Sequence, residues 1–193
     1  MRQILIAALL VGTLTASPAW SDPKPFVIVS EKSRVTFQAT FPLGDFTGAT
    51  EEVTGELSID PLDIPSGVSG GFALSPAALK TGMAGRDRDL GKTLEVEKYP
   101  FIRFTVLEVR ASFPSLAERS DTAVAIDGLL SIRGVERPIT LTGRARIQEG
   151  RLWVRGEGAL TLTQYGITPP KKFFLTVGDT VQISFDALLA PKE

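Results

Sequence analysis

Residues 124–162 read VAIDGLLSIRGVERPITLTGRARIQEGRLWVRGEGALTL, and their alternation decides the fold. Val124, Ile126, Gly128, Leu130 and Ile132 share one face up to a turn signal at Gly134. Ile139, Leu141, Gly143, Ala145 and Ile147 repeat the pattern, and Glu149-Gly150 breaks the chain. Leu152, Val154, Gly156, Gly158, Leu160 and Leu162 then return. Period two with turn residues between runs is the mark of half-buried antiparallel strands, one face in the core and one in water.

The same pattern extends outward in both directions. Val35, Phe37, Ala39 and Phe41 oppose Arg34, Thr36, Gln38 and Thr40. Val53, Gly55, Leu57 and Ile59 run up to Asp60-Pro61; Val68, Gly70, Phe72 and Leu74 run up to Pro76. Phe101 to Val109 is less regular, and Val181, Ile183, Phe185, Ala187 and Leu189 close the chain. About eight strands with short connections give an all-β antiparallel barrel or sandwich. The exception is Leu79 to Pro100, where alternation stops and Leu90 and Leu94 stand four apart, so a short helix is expected against one end of the sheet. Gly91 weakens that helix.

The first residues resemble an export signal. Arg2 precedes an apolar core from Ile4 to Val11, and Ala19 and Ser21 supply small residues at the −3 and −1 positions of a cleavage site. The apolar stretch is shorter than the roughly 18–20 residues of a membrane span, so residues 1–21 are expected to be a cleavable signal peptide, not an anchor. Residues 22–193 would then form one barrel domain in the periplasm, not spanning the membrane. The mature chain would carry net charge −2, which gives no case for binding nucleic acid. With no Cys, stability must come from packing and the sheet. With no His, imidazole metal sites, a Ser-His-Asp triad and a His proton shuttle are excluded.

Six glycines (Gly55, Gly70, Gly128, Gly143, Gly156 and Gly158) fall on the inward face. They fit a hollow interior and equally fit bulges and sharp sheet bends. Arg86-Asp87-Arg88-Asp89 is the densest charge cluster. It reads as a solvated helical turn with weak ion pairs, or as an arginine at a cavity mouth meeting a polar head group. Lys171-Lys172 after Pro169-Pro170 reads as an exposed loop, and the adjacent Glu51-Glu52 alternate in direction. No catalytic or metal-binding constellation is assembled, so the chain is read as non-enzymatic.

The order of local motifs resembles the YceI-like family of exported lipid- or polyisoprenoid-binding proteins. The resemblance rests on Ser33-Arg34-Val35-Thr36-Phe37, Asp45-Phe46-Thr47-Gly48, Leu79-Lys80-Thr81-Gly82, Arg86-Asp87, Glu97-Lys98-Tyr99-Pro100, Gly128 to Ile139, and Val177-Gly178-Asp179. It implies a lipocalin-like barrel of about eight strands with a short helix over one end. It also implies periplasmic binding, transport or storage, without turnover, of a polyisoprenoid, an isoprenoid quinone or another lipid. No cofactor would be required, and a homodimer is left open. The chain departs from the family pattern at Asp89, where many relatives have His, and at Tyr165-Gly166, where many have Phe-Gly. The expected ligand-binding residues are Val35, Phe37, Phe41, Leu57, Phe72, Phe104, Leu130, Leu141, Leu160, Ile183 and Phe185 along the interior, with Arg86 and Asp87 near one end. The alternatives are a structural or stress-response protein acting through an outer apolar patch that includes Leu129 and Trp153, or an enzyme using Arg86, Asp87 or Tyr165.

Overall fold

Two tight turns set the register of the longest hairpins. A computed structural model describes residues 23–116, 121–172 and 174–192, and in it β7 (Thr122–Ile132) folds back on β8 (Val135–Gln148), which folds back on β9 (Arg151–Thr161). Ile132 faces Val135 and Gln148 faces Arg151, leaving the two-residue turns Arg133-Gly134 and Glu149-Gly150. Both residues of each turn have positive φ, the twist that matches right-handed strands. β8 begins at Val135, earlier than the run starting at Ile139 suggests. Pro138 is tolerated because β8 pairs there only with β7; its ladder to β9 starts at Thr142.

The remaining elements are β1 (Lys24–Ile28), β2 (Arg34–Ala39), β3 (Phe46–Thr50), β4 (Val53–Ile59), β5 (Val68–Leu74), α1 (Ala84–Thr93) and β6 (Ile102–Ala111), then β10 (Lys171–Lys172), β11 (Leu175–Thr176) and β12 (Thr180–Pro191). Strands β1, β4, β5, β6, β7, β8, β9 and β12 form a closed antiparallel ring, sealed where β1 pairs with β12. The count of eight matches the alternation, but the membership differs: β1 closes the ring, and β2 and β3 extend it at one end.

A 3-10 turn at Ser30–Lys32 causes this division. β12 pairs with β1 through Leu189–Pro191 and with β2 through Val181–Asp186. Between the two ladders, the Leu188 N–H would lack a strand partner. The buried Ser33 hydroxyl accepts it at 3.1 Å and donates to the Val29 carbonyl at 2.9 Å, so both of these backbone groups are paired at the kink. Phe41 lies past the end of β2, in the turn to β3.

Beyond β2, the far edge of β3 has no strand ladder, only an isolated bridge from Ala49 to Lys80. The ring is thus flared at that end, and α1 follows directly from the bridged segment. The expected helix falls at 84–93, with Leu90 half-buried and Leu94 buried. No helix among the described residues is long and apolar enough to cross a membrane. The expected signal peptide, residues 1–21, lies outside the described residues.

Candidate functional site

The inward side chains separate into two packed groups with a gap between them. Phe26, Leu57, Ile59, Ile64, Leu116, Val124 and Leu152 belong to the group that fills the end bounded by β1 and β4. Leu79, Leu94, Leu130, Ile132, Tyr165, Ile167 and Val181 belong to the group at the helix end. Several large inward residues touch these groups without being fully buried, among them Phe37, Phe72, Phe104, Ile126, Ile183 and Phe185. They surround a cavity of about 570 Å³, the size of a small-molecule site.

Each of the eleven apolar residues expected along the ligand path borders this cavity. β2 contributes Val35 and Phe37, the following turn Phe41, and β4 and β5 contribute Leu57 and Phe72. Phe104, Leu130, Leu141 and Leu160 come from β6 to β9, and Ile183 and Phe185 from β12. The closed-end residues Phe26, Ile59, Ile64, Leu116 and Leu152 do not border it, so the hollow is blind there. At the other end Met83, Gly85, Arg86, Asp89 and Lys171 border it, all exposed except the half-exposed Arg86. One mouth therefore lies beneath α1. Exposed Arg34, Ser184 and Asp186 border the hollow at a second place, near the β1–β2 kink.

The inward glycines are places where neighbours approach closely, and none borders the cavity. A Cβ at Gly128 would lie 2.5 Å from the Phe104 ring and from the Thr105 carbonyl oxygen; one at Gly156 would lie 3.0 Å from the Phe185 ring. Gly55 and Gly70, with φ +147° and +135°, press their backbones against the facing strands β5 and β4. What these positions show is close contact in place of open space. It still serves the hollow, because rings that rest on glycines lie along the wall.

Asp87 does not border the cavity, contrary to the expectation that paired it with Arg86. Its Oδ1 accepts the Thr81 hydroxyl at 2.6 Å and the Thr81 N–H at 2.8 Å. These bonds, led by the hydroxyl, hold its carboxyl below the ordinary value of 3.8, with help from Lys80 and Arg86. Asp87 thus ties the segment entering α1 to the helix. Arg86 reaches the mouth, its guanidinium 4.4 Å from the Phe46 ring centroid, a cation–π contact that leaves its outer edge toward solvent.

Other polar motifs also hold the frame. The Arg133 guanidinium pairs with Glu95 and donates to the Gly166 carbonyl. Tyr99 lies under Gly134, whose Cβ would meet its ring at 3.2 Å. Asp179 accepts the Thr163 N–H at 2.9 Å and its hydroxyl at 2.7 Å, fixing the turn that carries Tyr165. Tyr165 is buried and off the cavity wall, and burial pushes its phenol above the ordinary 10.0. No group of three or more Asp or Glu with metal-ligand spacing occurs among the described residues.

Sequence reasoning missed Phe46, Leu90, Leu94, Ile167 and Val177, which border the cavity from outside the alternating strands. Leu90 and Leu94 were marked only by their spacing. Trp153 and Leu129 are half-buried, and Arg146 lies against the Trp153 ring at 5.7 Å, so they form no exposed apolar patch. The most exposed large apolar side chains are Leu43, Leu62, Phe113 and Phe174.

A closed antiparallel barrel of eight strands, with an apolar hollow and one short helix at its mouth, defines the chain as a lipocalin-like barrel. Residues 26–189 match the YceI-like domain, and the chain belongs to that family. Solved structures share the fold at low identity. Burkholderia cenocepacia BcnA aligns over 83% of this chain and 98% of its own, with TM-score 0.70 and 16% identity. A polyisoprenoid binding domain from Saccharophagus degradans, implicated in plant cell wall breakdown, aligns over 88% and 99%, with TM-score 0.66 and 14% identity. The YCEI protein of Campylobacter jejuni aligns over 100% and 99%, with TM-score 0.53 and 15% identity. No curated protein sequence matches this chain.

Proposed function

We propose that this chain binds and carries, or stores, a long apolar molecule inside the barrel without transforming it. The observation that carries the proposal is the blind apolar hollow of about 570 Å³. The ligand class is a polyisoprenoid, an isoprenoid quinone or another lipid; the Saccharophagus domain, described as polyisoprenoid-binding, supports that choice. The setting is the periplasm, reached behind the export signal at residues 1–21.

Binding would work by area. The tail lies between Phe37, Phe72, Phe104 and Phe185, and each methylene removed from water contributes about 0.8 kcal/mol. The charged groups bordering the cavity are at exposed or half-exposed positions, where they meet a head group without entering the tail site. Arg86 is the expected partner for an oxygen-rich head.

Native mass spectrometry of protein purified from a periplasmic extract tests this. The expected spectrum contains a population heavier than the bare chain by the mass of one long-chain lipid. A bare chain, persisting after incubation with prenyl alcohols, quinones and fatty acids, would overturn it.

A further inference from the structure

The mouth is framed by three segments that the barrel brings together. The Gly178 N–H donates to the Thr40 carbonyl at 2.8 Å, joining the loop after β11 to the turn after β2. Arg86, on the first turns of α1, lies over Phe46 at the start of β3. Each segment holds a large apolar side chain out in water. Leu43 is 81% exposed in the β2–β3 turn, Met83 56% just before α1, and Phe174 99% at the tip of the β10–β11 hairpin. Inside them, Phe41, Phe46 and Val177 continue the apolar surface into the cavity.

Charge at this end differs in sign from the chain as a whole. Residues 40–45, 80–89 and 170–179 contain Lys80, Arg86, Arg88, Lys171 and Lys172 against Asp45, Asp87, Asp89 and Asp179. That is net +1 in a chain of net −1. Three of the four carboxylates accept local hydrogen bonds: Asp45 from the Phe41 N–H and Gln38, Asp87 from Thr81, and Asp179 from Thr163. The opposite end also exposes apolar side chains, Leu62 and Phe113 at 68% and 64%. It differs in what surrounds and backs these side chains, since Asp60 and Asp63 flank Leu62 and the packed closed end lies behind it.

We propose that the mouth docks on the surface of an anionic lipid bilayer. Leu43, Met83 and Phe174 enter the headgroup–acyl boundary, and the surrounding cations meet lipid phosphates. Exposed apolar tips backed by cations are the composition that binds such interfaces. The placement gives docking a purpose: an apolar tail can pass from the membrane into the hollow without crossing water. This rests on the reading of the cavity as a lipid site, but vesicle binding by ligand-free protein can be measured apart from it.

The test is co-sedimentation of ligand-free full-length chain with vesicles, alongside uptake of a detergent-dispersed prenyl alcohol. Vesicles of phosphatidylcholine with equal phosphatidylglycerol are expected to bind the protein, with binding weakened by salt. Pure phosphatidylcholine vesicles should bind at least tenfold less. The double variant L43S/F174S should lose tenfold or more in vesicle affinity while keeping prenyl alcohol uptake. The control L62S/F113S should keep both. Equal vesicle binding by wild type and L43S/F174S, no vesicle binding at all, or equal loss in the control overturns docking. So does a wild-type dimer in sedimentation equilibrium that L43S/F174S abolishes, because the same tips would then be covered by a second copy. Vesicle binding without prenyl alcohol uptake overturns the cavity reading and supports docking.

Discussion

Val154→Phe is the sharpest test of a blind cavity with a fixed capacity. Val154 sits on β9, half-buried, and borders the hollow while packing against the closed-end residues. At about 30 Å³ per non-hydrogen group, the cavity volume holds about 19 such groups. Affinity for straight-chain or prenyl alcohols should therefore rise by about 0.8 kcal/mol per carbon and level off near that length. Valine to phenylalanine adds four carbons to the side chain, at the deep end of the hollow. The plateau should move to about 15 carbons, and a ligand that fills the wild-type cavity should lose about 3 kcal/mol, or about 200-fold. Ligands of about ten carbons should bind the two proteins equally, since they stop short of position 154. Displacement of a fluorescent acyl probe across a chain-length series measures this, with thermal unfolding to show that the barrel stays folded. A series without a plateau in the wild type, or a variant that weakens every length equally, would refute the reasoning.

The remaining predictions concern the frame. Gly128→Ala should cost about 1–3 kcal/mol in urea unfolding, because the new methyl meets both the Phe104 ring and the Thr105 carbonyl at 2.5 Å. Thr81→Val removes the main cause of the lowered Asp87 pKa. That lowered value stabilises the fold above pH 3.8 and is lost as pH falls through it. The deficit in Tm of Thr81→Val should therefore be full near neutrality and narrow in acid. Tyr165 has the opposite sign: burial raises its pKa, so its contribution is full below pH 10.0 and is lost as pH rises through the raised value. Tyr165→Phe should flatten that alkaline fall in Tm, and an unchanged fall would refute the assignment.

Strand faces were legible because the side-chain period of a strand is two and one face is buried. That logic placed the apolar faces inward, and the eleven apolar residues expected along the ligand path, from Val35 to Phe185, border the cavity, while Ile59 and Leu152 on the same faces fill the closed end. It did not reveal β1, whose Phe26 and Ile28 make too short a run beside Pro25, or β3, where Gly48 takes an inward position. Which segment closes the ring depended on the Ser30–Lys32 turn, and no local pattern shows a long-range partner such as Leu188 for Ser33. Asp87 looked like a site residue because charge near a cavity is ambiguous in sequence. Its role depended on Thr81, six residues earlier, folding back to meet it. The glycines were ambiguous for a similar reason: a missing side chain means space or contact according to what lies across the ladder. Phe104 beside Gly128 could be paired only once the register was known.

The pairing of β1 with β12 has a consequence for how the chain can be cut and joined. Phe26 faces Pro191, and the Lys192 N–H donates to the Pro25 carbonyl at 2.9 Å. The two ends of the domain are neighbours, so a short linker from Lys192 to Lys24 would span no distance across the barrel. New ends opened at Glu149-Gly150 would fall in a two-residue surface turn between β8 and β9. Such a rearranged chain keeps every ladder of the ring while changing the order in which the strands are joined. β12 contacts β1, β2 and β9, so the interior has no continuous wall until that strand is in place, and a pairing between distant parts of the chain is what seals the barrel.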